Sequence, residues 1–248
     1  MILAVNLGNT NLRVAVGQAH PEREAAAYWE ELPTAAHLTD WIETCFGREI
    51  WQGLRGCVIV SVLPDRTEEV AEAIRGKAGV PPKRIDPQGC GLDLSRYRDL
   101  PGQDRIVCLS AALRLHPPPL AVIDFGTATT INLADENRVF LGGAILPGVQ
   151  IGLDALAERT ARLPRVYALS GPAPLIGAST RENLVSGAVR GAAFAVEGYL
   201  REIKKELGQE LAVVVTGGHA PAVLPHCSFG YDHQPDLLLR GMFLSIDN

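Results

Sequence analysis

The chain has 248 residues, of which 47% are hydrophobic and 21% are charged, and its formal net charge is −5. This length is enough for two modest domains or one large one, each with a buried core. Because the chain is acidic and has no cluster of Lys and Arg, we expect no nucleic-acid partner. No apolar stretch approaches the roughly twenty residues that a membrane span needs, so we expect no membrane partner and a cytoplasmic protein.

The cysteines and histidines are spaced too widely for a disulfide framework or a zinc site. The five cysteines form no C-x-x-C motif, and the six histidines form no H-E-x-x-H motif. We therefore predict free, buried thiols and assign no transition metal. The cysteines are Cys45, Cys57, Cys90, Cys108 and Cys227.

The first half of the chain is predicted to begin with a β-hairpin. A β-rich run, Ile2–Val5, leads into Asn6, an apolar residue, Gly8 and a short polar turn, and a second β-rich run follows. Periodicity and apolar runs predict the later elements. These are helices at 35–46, 67–78 and 104–116 and a buried strand at 57–62.

The same order of features returns after a triple proline at 117–119. The run Leu120–Leu133 again joins two β-rich segments through Asp124, an apolar residue, Gly126 and a turn with Thr. A long helix is predicted from about residue 180 to Gly208, with Ser179 or Thr180 as its N-cap. A buried strand is predicted at 212–218.

This repetition indicates an α/β protein with two similar lobes, 1–116 and 117–248. The C-terminal helix of the second lobe is free to pack back on the first. The triple proline would act as a semi-rigid boundary. The alternative is a single α/β domain in which the two hairpins are coincidental.

Two glycine-containing hairpins of this kind are suited to binding phosphate. Glycine lets backbone N–H groups approach an anion closely, and the hydroxyls of Thr10 and Thr127 can add hydrogen bonds. A carboxylate at the end of the first strand can hold Mg²⁺ directly or through water. Two such turns facing each other across a cleft would hold the terminal phosphates of ATP. The chain has neither a Walker A motif nor a protein-kinase glycine loop.

Eight segments carry a more specific signal, in order along almost the whole chain. They are Gly8-Asn9-Thr10, Gly102-Gln103-Asp104-Arg105, Asp124–Thr130, Gly142–Gly148, Thr160–Pro164, Gly177–Thr180, Thr216-Gly217-Gly218 and Pro235–Gly241. Together they resemble the motifs of type III pantothenate kinases.

The resemblance implies two duplicated ribonuclease H-like lobes of the actin-like (ASKHA) superfamily with a central interlobe cleft. It implies ATP-dependent phosphorylation of pantothenate to 4'-phosphopantothenate, the first step of coenzyme A biosynthesis. It also implies Mg²⁺, a monovalent cation (K⁺ or NH₄⁺) and a homodimer.

By motif, Asp104 is expected to be the general base and Asp124 the ligand of the monovalent cation. The expected ATP contacts are Asn6, Leu7, Gly8, Asn9, Thr10, Asn11, Leu12, Arg13 and Thr127. The expected substrate contacts are Tyr97, Gly102, Gln103, Asp104, Arg105 and, from across the dimer interface, Thr180.

The chemistry of these residue types fits the implied roles. Arg105 could bind the carboxylate of pantothenate through two parallel hydrogen bonds from its guanidinium. Asp104 begins a predicted helix, whose N-terminus favours an ionised carboxylate. The plainer alternatives are a helix cap beside a surface charge for Asp104 and Arg105, a turn carboxylate for Asp124 and a helix cap for Thr180.

Other conspicuous residues are interpreted structurally. His219 follows Gly217-Gly218 but is expected to be hydrogen-bonded or exposed. Trp29, Trp41 and Trp51 are interpreted as packing residues.

Two features depart from the family pattern. The family has Asp at the end of the first strand, where this chain has Asn6, which keeps an oxygen ligand but lacks the negative charge. The substrate-contacting Tyr of the family has its candidate in Tyr97, which lies seven residues before Asp104 in a segment that looks shorter than usual. A catalytically impaired paralogue that binds nucleotide or pantothenate as a regulator is therefore one alternative function. An actin-like sugar kinase or phosphatase is another.

Overall fold

The computed structural model describes residues 1–169 and 173–246, apart from the side chains of residues 87 and 88. The chain divides into two compact units. The first contains Met1–Arg114 together with the C-terminal residues from Asp236 onward, and the second contains Leu115–Pro235. No helix in the described ranges is long and apolar enough to cross a membrane.

The first unit is built from a five-stranded sheet and helices in alternation. Its strands and helices up to residue 115 are β1 (Ile2–Leu7), β2 (Asn11–Gly17), β3 (Arg23–Tyr28), α1 (Ala35–Phe46), β4 (Gly56–Ser61), α2 (Pro64–Ala78), β5 (Lys83–Arg84) and α3 (Gln103–Leu115).

The second unit repeats this design, and the chain then ends in a helix that belongs to the first unit. These elements are β6 (Leu120–Phe125), β7 (Ala128–Ala134), β8 (Phe140–Pro147), α4 (Val149–Arg159), α5 (Thr180–Leu207), β9 (Ala212–Thr216), α6 (Ala220–Val223), β10 (Asp232–His233) and finally α7 (Leu237–Leu244).

The two sheets have the same topology. The first has the strand order β3-β2-β1-β4-β5, and the second, in the corresponding direction, has the order β8-β7-β6-β9-β10. In both, the first three strands are antiparallel and the last two run parallel to the central strand. The predicted duplication and both predicted hairpins are therefore confirmed.

Both faces of the central strand of the first sheet, β1, are buried. The side chains of Leu3, Val5 and Leu7 in β1 belong to the core that α1 and α2 complete. The intervening residues Ile2 and Ala4 belong to a second core, because side chains alternate between the faces of a strand. This second core includes Val107 of α3 and Leu239, Met242 and Phe243 of α7.

The second sheet buries its central strand in the same way. The side chains of Ala121, Ile123 and Phe125 belong to a core shared with α4, α5 and α6. Leu120 and Val122 alternate with them and are also fully buried. Asp124 lies on this other face, one residue before the end of β6.

The long helix α5 has well-defined ends. The Ser179 hydroxyl accepts a hydrogen bond from the backbone N–H of Glu182 at 3.2 Å, which makes Ser179 the N-cap and Thr180 the first helical residue. The Glu182 carboxylate in turn accepts the N–H of Ala178 at 2.6 Å. At the other end Gly208 adopts a left-handed φ of 68° and closes the helix, as its sequence position predicts.

All five cysteines are free thiols, but the expected burial is wrong for Cys45, which is exposed. Cys57 and Cys108 are buried, and Cys90 and Cys227 are partly buried. Burial raises the pKa of the Cys57 thiol to about 12. At neutral pH this thiol is therefore protonated and unreactive.

Helices α3 and α7 touch at the backbone of Gly241. A Cβ atom there would lie 2.6 Å from Val107 Cγ1 and 2.7 Å from the Val107 carbonyl oxygen. We expect Gly241→Ala to destabilise the protein by about 1–3 kcal/mol, because the two helices must move apart. Thermal unfolding followed by circular dichroism measures this.

Gly76→Ala is the matched control, since Gly76 also lies inside a helix but no described residue outside that helix comes within 4 Å of its added Cβ. We expect it to stabilise the protein by about 0.5–1 kcal/mol through helix propensity alone. Equal effects of the two substitutions would contradict close packing of α7 on α3.

Candidate active site

The first predicted phosphate loop is the turn between β1 and β2. The backbone N–H of Gly8 donates to the carbonyl of Asn11 at 3.0 Å, which closes the turn. A Cβ atom at position 8 would lie only 2.8 Å from the same oxygen, so the turn requires glycine. Asn9 and Thr10 are exposed at the apex. The loop thus presents backbone to solvent with little side-chain obstruction.

Trp29 holds this loop from behind. It packs against the core of the first unit, as the sequence predicts, but its indole Nε1–H also donates to the Gly8 carbonyl at 2.7 Å. The guanidinium of Arg66 lies 4.6 Å from the centre of the indole ring. The contact between Trp29 and Gly8 spans 21 residues of sequence and has no local sequence signal.

Asn6 and Arg13 are cross-strand partners at the loop end of the hairpin. Their side chains share the face of the sheet that carries Ile2 and Ala4. The Arg13 guanidinium donates to the carboxylate of Glu24 at 2.9 Å. Part of its positive charge is therefore already neutralised by a protein carboxylate.

The predicted substrate segment surrounds the start of α3. The Oδ1 atom of Asp104 accepts the backbone N–H of Arg105 at 2.9 Å. A Cβ atom at Gly102 would lie 2.7 Å from this Oδ1, so the carboxylate folds closely over the glycine. This arrangement fixes the Asp104 side chain in a partly exposed position.

Tyr97 and Arg105 are brought together despite their sequence separation. The guanidinium Nη1 donates to the Tyr97 hydroxyl at 3.4 Å, and the guanidinium carbon lies 5.8 Å from the ring centre. Gln103 reaches away from this pair and donates to the Ile85 carbonyl at 3.3 Å. The segment therefore places a carboxylate, a guanidinium and a phenol within one local group.

The second predicted phosphate loop, between β6 and β7, is tighter than the first. The N–H of Gly126 donates to the carbonyl of Ala128 at 3.1 Å. Gly148, just before α4, packs so closely that a Cβ atom there would lie 2.0 Å from the Thr127 carbonyl oxygen. The backbone of the loop is thus held by a second segment of backbone.

The turn after β9 supports the same loop from the other side. Gly217 has a φ of 101°, and a Cβ atom there would lie 2.4 Å from both Asp124 Oδ1 and the carbonyl carbon of Phe125. The backbone N–H of His219 donates to the Phe125 carbonyl at 2.9 Å. Two separate segments, Gly148 and the turn 217–219, therefore converge on residues 124–127.

Two threonine side chains lie beside Asp124 on the second sheet. Thr130 of β7 and Thr216 of β9 are its direct neighbours in register, so the three side chains share one face of the sheet. Asp124 Oδ1 is buried. Carboxylate and hydroxyl oxygens of this kind suit a hard cation.

Two polar atoms near the loop, neither of them in Asp124, lack hydrogen bonds within the part of the chain that the structure describes. They are the buried Nδ1 of His219 and the buried Oγ1 of Thr129. Buried polar atoms are normally paired, and unpaired ones often mark a bound ligand or water. The expectation that His219 is either hydrogen-bonded or exposed is therefore wrong for Nδ1.

The predicted residues form three local groups and one separate residue. The first hairpin and the segment Tyr97–Arg105 lie in the first unit, and Asp124 and Thr127 lie in the second. Thr180 is exposed in the first turn of α5. Because Ser179 caps this helix, the cap alternative for Thr180 is wrong.

Comparison with known proteins gives a consistent result. A sequence model of the type III pantothenate kinase family matches residues 2–202. The chain is 36% identical to the type III pantothenate kinase of Zymomonas mobilis, over 98% of this chain and 91% of that protein. It is 35% identical to the type III pantothenate kinase of Paramagnetospirillum magneticum, over 98% and 95% of the respective chains.

Solved structures share the fold at lower sequence identity. The ethanolamine utilization protein EutJ from Carboxydothermus hydrogenoformans is similar with a TM-score of 0.58 and 16% identity, over 98% of this chain and 89% of that one. The activator of 2-hydroxyisocaproyl-CoA dehydratase from Clostridium difficile, solved with bound ADPNP, gives a TM-score of 0.53 and 13% identity, over 99% and 94%. The predicted fold class, α/β with two actin-like lobes, is confirmed.

The convergence on residues 124–127 can be tested at Gly217. We expect Gly217→Ala to destabilise the protein by about 2–4 kcal/mol, because the added Cβ meets Asp124 and strains a positive φ. Chemical denaturation measures the loss. The neighbouring Gly218→Ala is the control for stability, since among the described residues only its chain neighbours would lie within 4 Å of the added Cβ. A Gly217→Ala protein as stable as the control would contradict the close contact.

Proposed function

Because this chain belongs to the type III pantothenate kinase family, we propose that it transfers the γ-phosphoryl group of ATP to the primary hydroxyl of pantothenate. The products are 4'-phosphopantothenate and ADP, and the reaction opens coenzyme A biosynthesis. The full-length relationship to the family carries this proposal. The local group of Asp104, Arg105 and Tyr97 supplies the chemistry that the acceptor requires.

Asp104 is proposed as the general base. Its Oδ1 is anchored by the Arg105 N–H, so the carboxylate has a fixed direction in which to receive the hydroxyl proton of pantothenate. The oxygen of that hydroxyl forms the new bond to the γ-phosphorus as the bond to the ADP oxygen breaks. Because the transition state is loose, alignment of the hydroxyl counts as much as proton removal.

Arg105 and Tyr97 are proposed to bind pantothenate. The planar guanidinium can form two parallel hydrogen bonds to the carboxylate of this substrate. The Tyr97 ring and hydroxyl hold the guanidinium in one orientation. A preorganised arginine loses less side-chain freedom on binding, which favours affinity.

The two glycine loops are proposed to contact ATP. The first would contribute residues 6–13 and the second Thr127. The buried Nδ1 of His219, which has no hydrogen bond to any described residue, is a further candidate contact. Backbone N–H groups at exposed turns stabilise phosphate charge without adding net charge to the protein. This suits an acidic chain with little free positive charge at the loop.

Mg²⁺ is proposed to bind beside Asn6. Within the described ranges, no group of three or more His, Cys, Asp or Glu side chains is placed to hold a metal ion. That fits Mg²⁺, which binds mainly through substrate phosphates and water with few protein ligands. The Asn6 amide oxygen would be one neutral ligand. When bound, the ion neutralises charge on the β- and γ-phosphates.

A monovalent cation, K⁺ or NH₄⁺, is proposed to bind at Asp124. The neighbouring Thr130 and Thr216 provide hydroxyl oxygens on the same face. The charge of the cation would offset the partly buried Asp124 carboxylate, which is costly to bury alone.

A homodimer is proposed to form through the second unit. The open space beside Gly187 and Gly191 would let the α5 helices of two subunits approach closely. Exposed large apolar side chains in this unit include Ile151, Leu156, Ile176 and Phe194. Thr180 would then contact pantothenate bound to the partner subunit. Analytical ultracentrifugation checks this, and a fully active monomer would contradict it.

The function is tested with purified protein, ATP, Mg²⁺ and pantothenate in K⁺, NH₄⁺ or Na⁺ buffers. We expect ADP and phosphopantothenate in equal amounts, with activity dependent on K⁺ or NH₄⁺. A panel of hexoses and N-acetylhexosamines serves as the specificity control. Turnover of a sugar but not of pantothenate would contradict the proposal, as would nucleotide binding without any turnover.

The role of Asp104 is tested by Asp104→Asn. We expect kcat to fall by about 10²–10⁴-fold, because the amide cannot accept the proton. Calorimetric affinities for ATP and pantothenate should stay within a few-fold of the wild type. Asp65→Asn is the control, since Asp65 also lies in the first turn of a helix. Unchanged turnover in Asp104→Asn would remove this residue from the mechanism.

The departure at position 6 gives a further prediction. We expect Asn6→Asp to lower the Mg²⁺ concentration for half-maximal activity, on the order of tenfold, because it adds a charged oxygen ligand. The measurement is initial rate against free Mg²⁺ at fixed ATP. Asn137→Asp adds the same charge to an exposed turn and should leave the Mg²⁺ dependence unchanged. An identical dependence in Asn6→Asp would place the ion elsewhere.

A further inference from the structure

The peptide between Gly8 and Asn9 is held by one side chain. Trp29, the residue directly after β3, donates its indole N–H to the Gly8 carbonyl at 2.7 Å. This is a short N–H···O distance for a neutral pair. The indole is partly buried against the core of the first unit, so its position is fixed by packing.

The orientation of this carbonyl decides where the next amide points. The C=O of Gly8 and the N–H of Asn9 belong to the same planar peptide, and in a trans peptide they point in opposite directions. Because the Gly8 carbonyl points at Trp29, the Asn9 N–H points away from it. Asn9 is exposed at the apex of the loop, so a ligand can approach this peptide from solvent.

Gly8 alone would not fix this orientation. Glycine populates a wide range of φ and ψ values, so the peptide that follows it can rotate at little cost. The N–H of Gly8 itself is already bonded to the Asn11 carbonyl at 3.0 Å. The Asn9 N–H is therefore the amide whose direction depends on the bond from Trp29.

Arg66 contacts the face of the same indole ring. Its guanidinium lies 4.6 Å from the ring centre, within the range of a cation–π contact. Arg66 lies in the first turn of α2, where the Thr67 hydroxyl donates to the Leu63 carbonyl at 2.7 Å. The loop is thus connected through Trp29 and Arg66 to the first turn of α2, which the Thr67 hydrogen bond stabilises.

We propose that Trp29 is a positioning residue that holds the Gly8–Asn9 peptide with the Asn9 N–H directed at the phosphates of ATP. This rests on the proposed function in one respect, namely that the loop binds nucleotide. A tryptophan that served packing alone could be replaced by another large aromatic residue without effect on nucleotide binding. If the hydrogen bond from the indole positions the loop, an aromatic residue without an N–H donor at this position weakens nucleotide binding.

The test compares Trp29→Phe with Trp41→Phe, since Trp41 packs against the same core. We expect Trp29→Phe to lower kcat/KM for ATP about five- to tenfold, the loss typical of one neutral hydrogen bond. The affinity for ADPNP should fall similarly, with KM for pantothenate unchanged. Trp41→Phe should match the wild type. Equal ADPNP affinities of the wild type and Trp29→Phe would overturn the proposal.

A second variant covers the case in which Trp29→Phe fails to fold. The isostere 3-benzothienylalanine, placed at position 29 by codon suppression, keeps the ring shape and lacks only the N–H donor. We expect native-like thermal unfolding with the same loss of ADPNP affinity. Native unfolding with wild-type ADPNP affinity would overturn the proposal.

Arg66→Ala provides a readout that simple packing would not produce. We expect a smaller loss of ADPNP affinity, and no further loss when it is combined with Trp29→Phe, because both act through one hydrogen bond. Additive losses of ADPNP affinity would contradict the claim that Arg66 acts through the hydrogen bond of Trp29. If the wild type binds ADPNP but phosphorylates no pantothenate, the proposed function fails while the Trp29 comparison still decides this inference. If the wild type binds no ADPNP, both fail.

Discussion

The complete burial of the two central strands, β1 and β6, is the constraint on which the rest of the structure depends. Each shows four successive buried residues, then one partly exposed polar residue and a final buried one. A strand with both faces buried must have all its backbone groups bonded on both edges. The hairpin partner supplies one edge and a parallel strand supplies the other. The polar residue and the turn that follows it therefore lie together at one end of each sheet.

The two halves keep this plan but secure their loops by different means. The loop of the first unit is held by a hydrogen bond from Trp29 to Gly8. The loop of the second unit is one residue shorter, and the backbone at Gly148 and Gly217 packs closely against it. A loop enclosed by backbone leaves no room for any side chain at those positions, whereas a loop held by one hydrogen bond keeps an exposed apex. The halves also differ in charge, with Asn6 in one and Asp124 in the equivalent place of the other.

The proposed acceptor site differs from the two loops because its charged residues lie close together in the sequence, at the start of a helix. Asp104 and Arg105 are adjacent in sequence at the start of α3, and their side chains are the proposed base and the proposed ligand of the substrate carboxylate. Tyr97 joins them only because the preceding segment folds back, which places its hydroxyl 3.4 Å from the guanidinium. The shortened sequence between Tyr97 and Asp104 therefore does not prevent the contact. In this group the local sequence specifies the candidate residues, and the path of the chain specifies how their side chains are oriented.

The sequence by itself determined the duplication, both hairpins, the helices at 35–46 and 180–207, the glycine stop at 208 and most candidate residues. These are properties of local periodicity and turn chemistry, which act between residues a few positions apart. No element was predicted over β8 or α4, and in β8 the residues Gly142, Gly143 and Pro147 interrupt the strand pattern. Only the tertiary structure decided the bond from Trp29 to Gly8, the contact of Gly217 with Asp124 and the place of α7 in the first unit. Those contacts join distant segments, and their geometry depends on how whole elements pack, which no local pattern encodes.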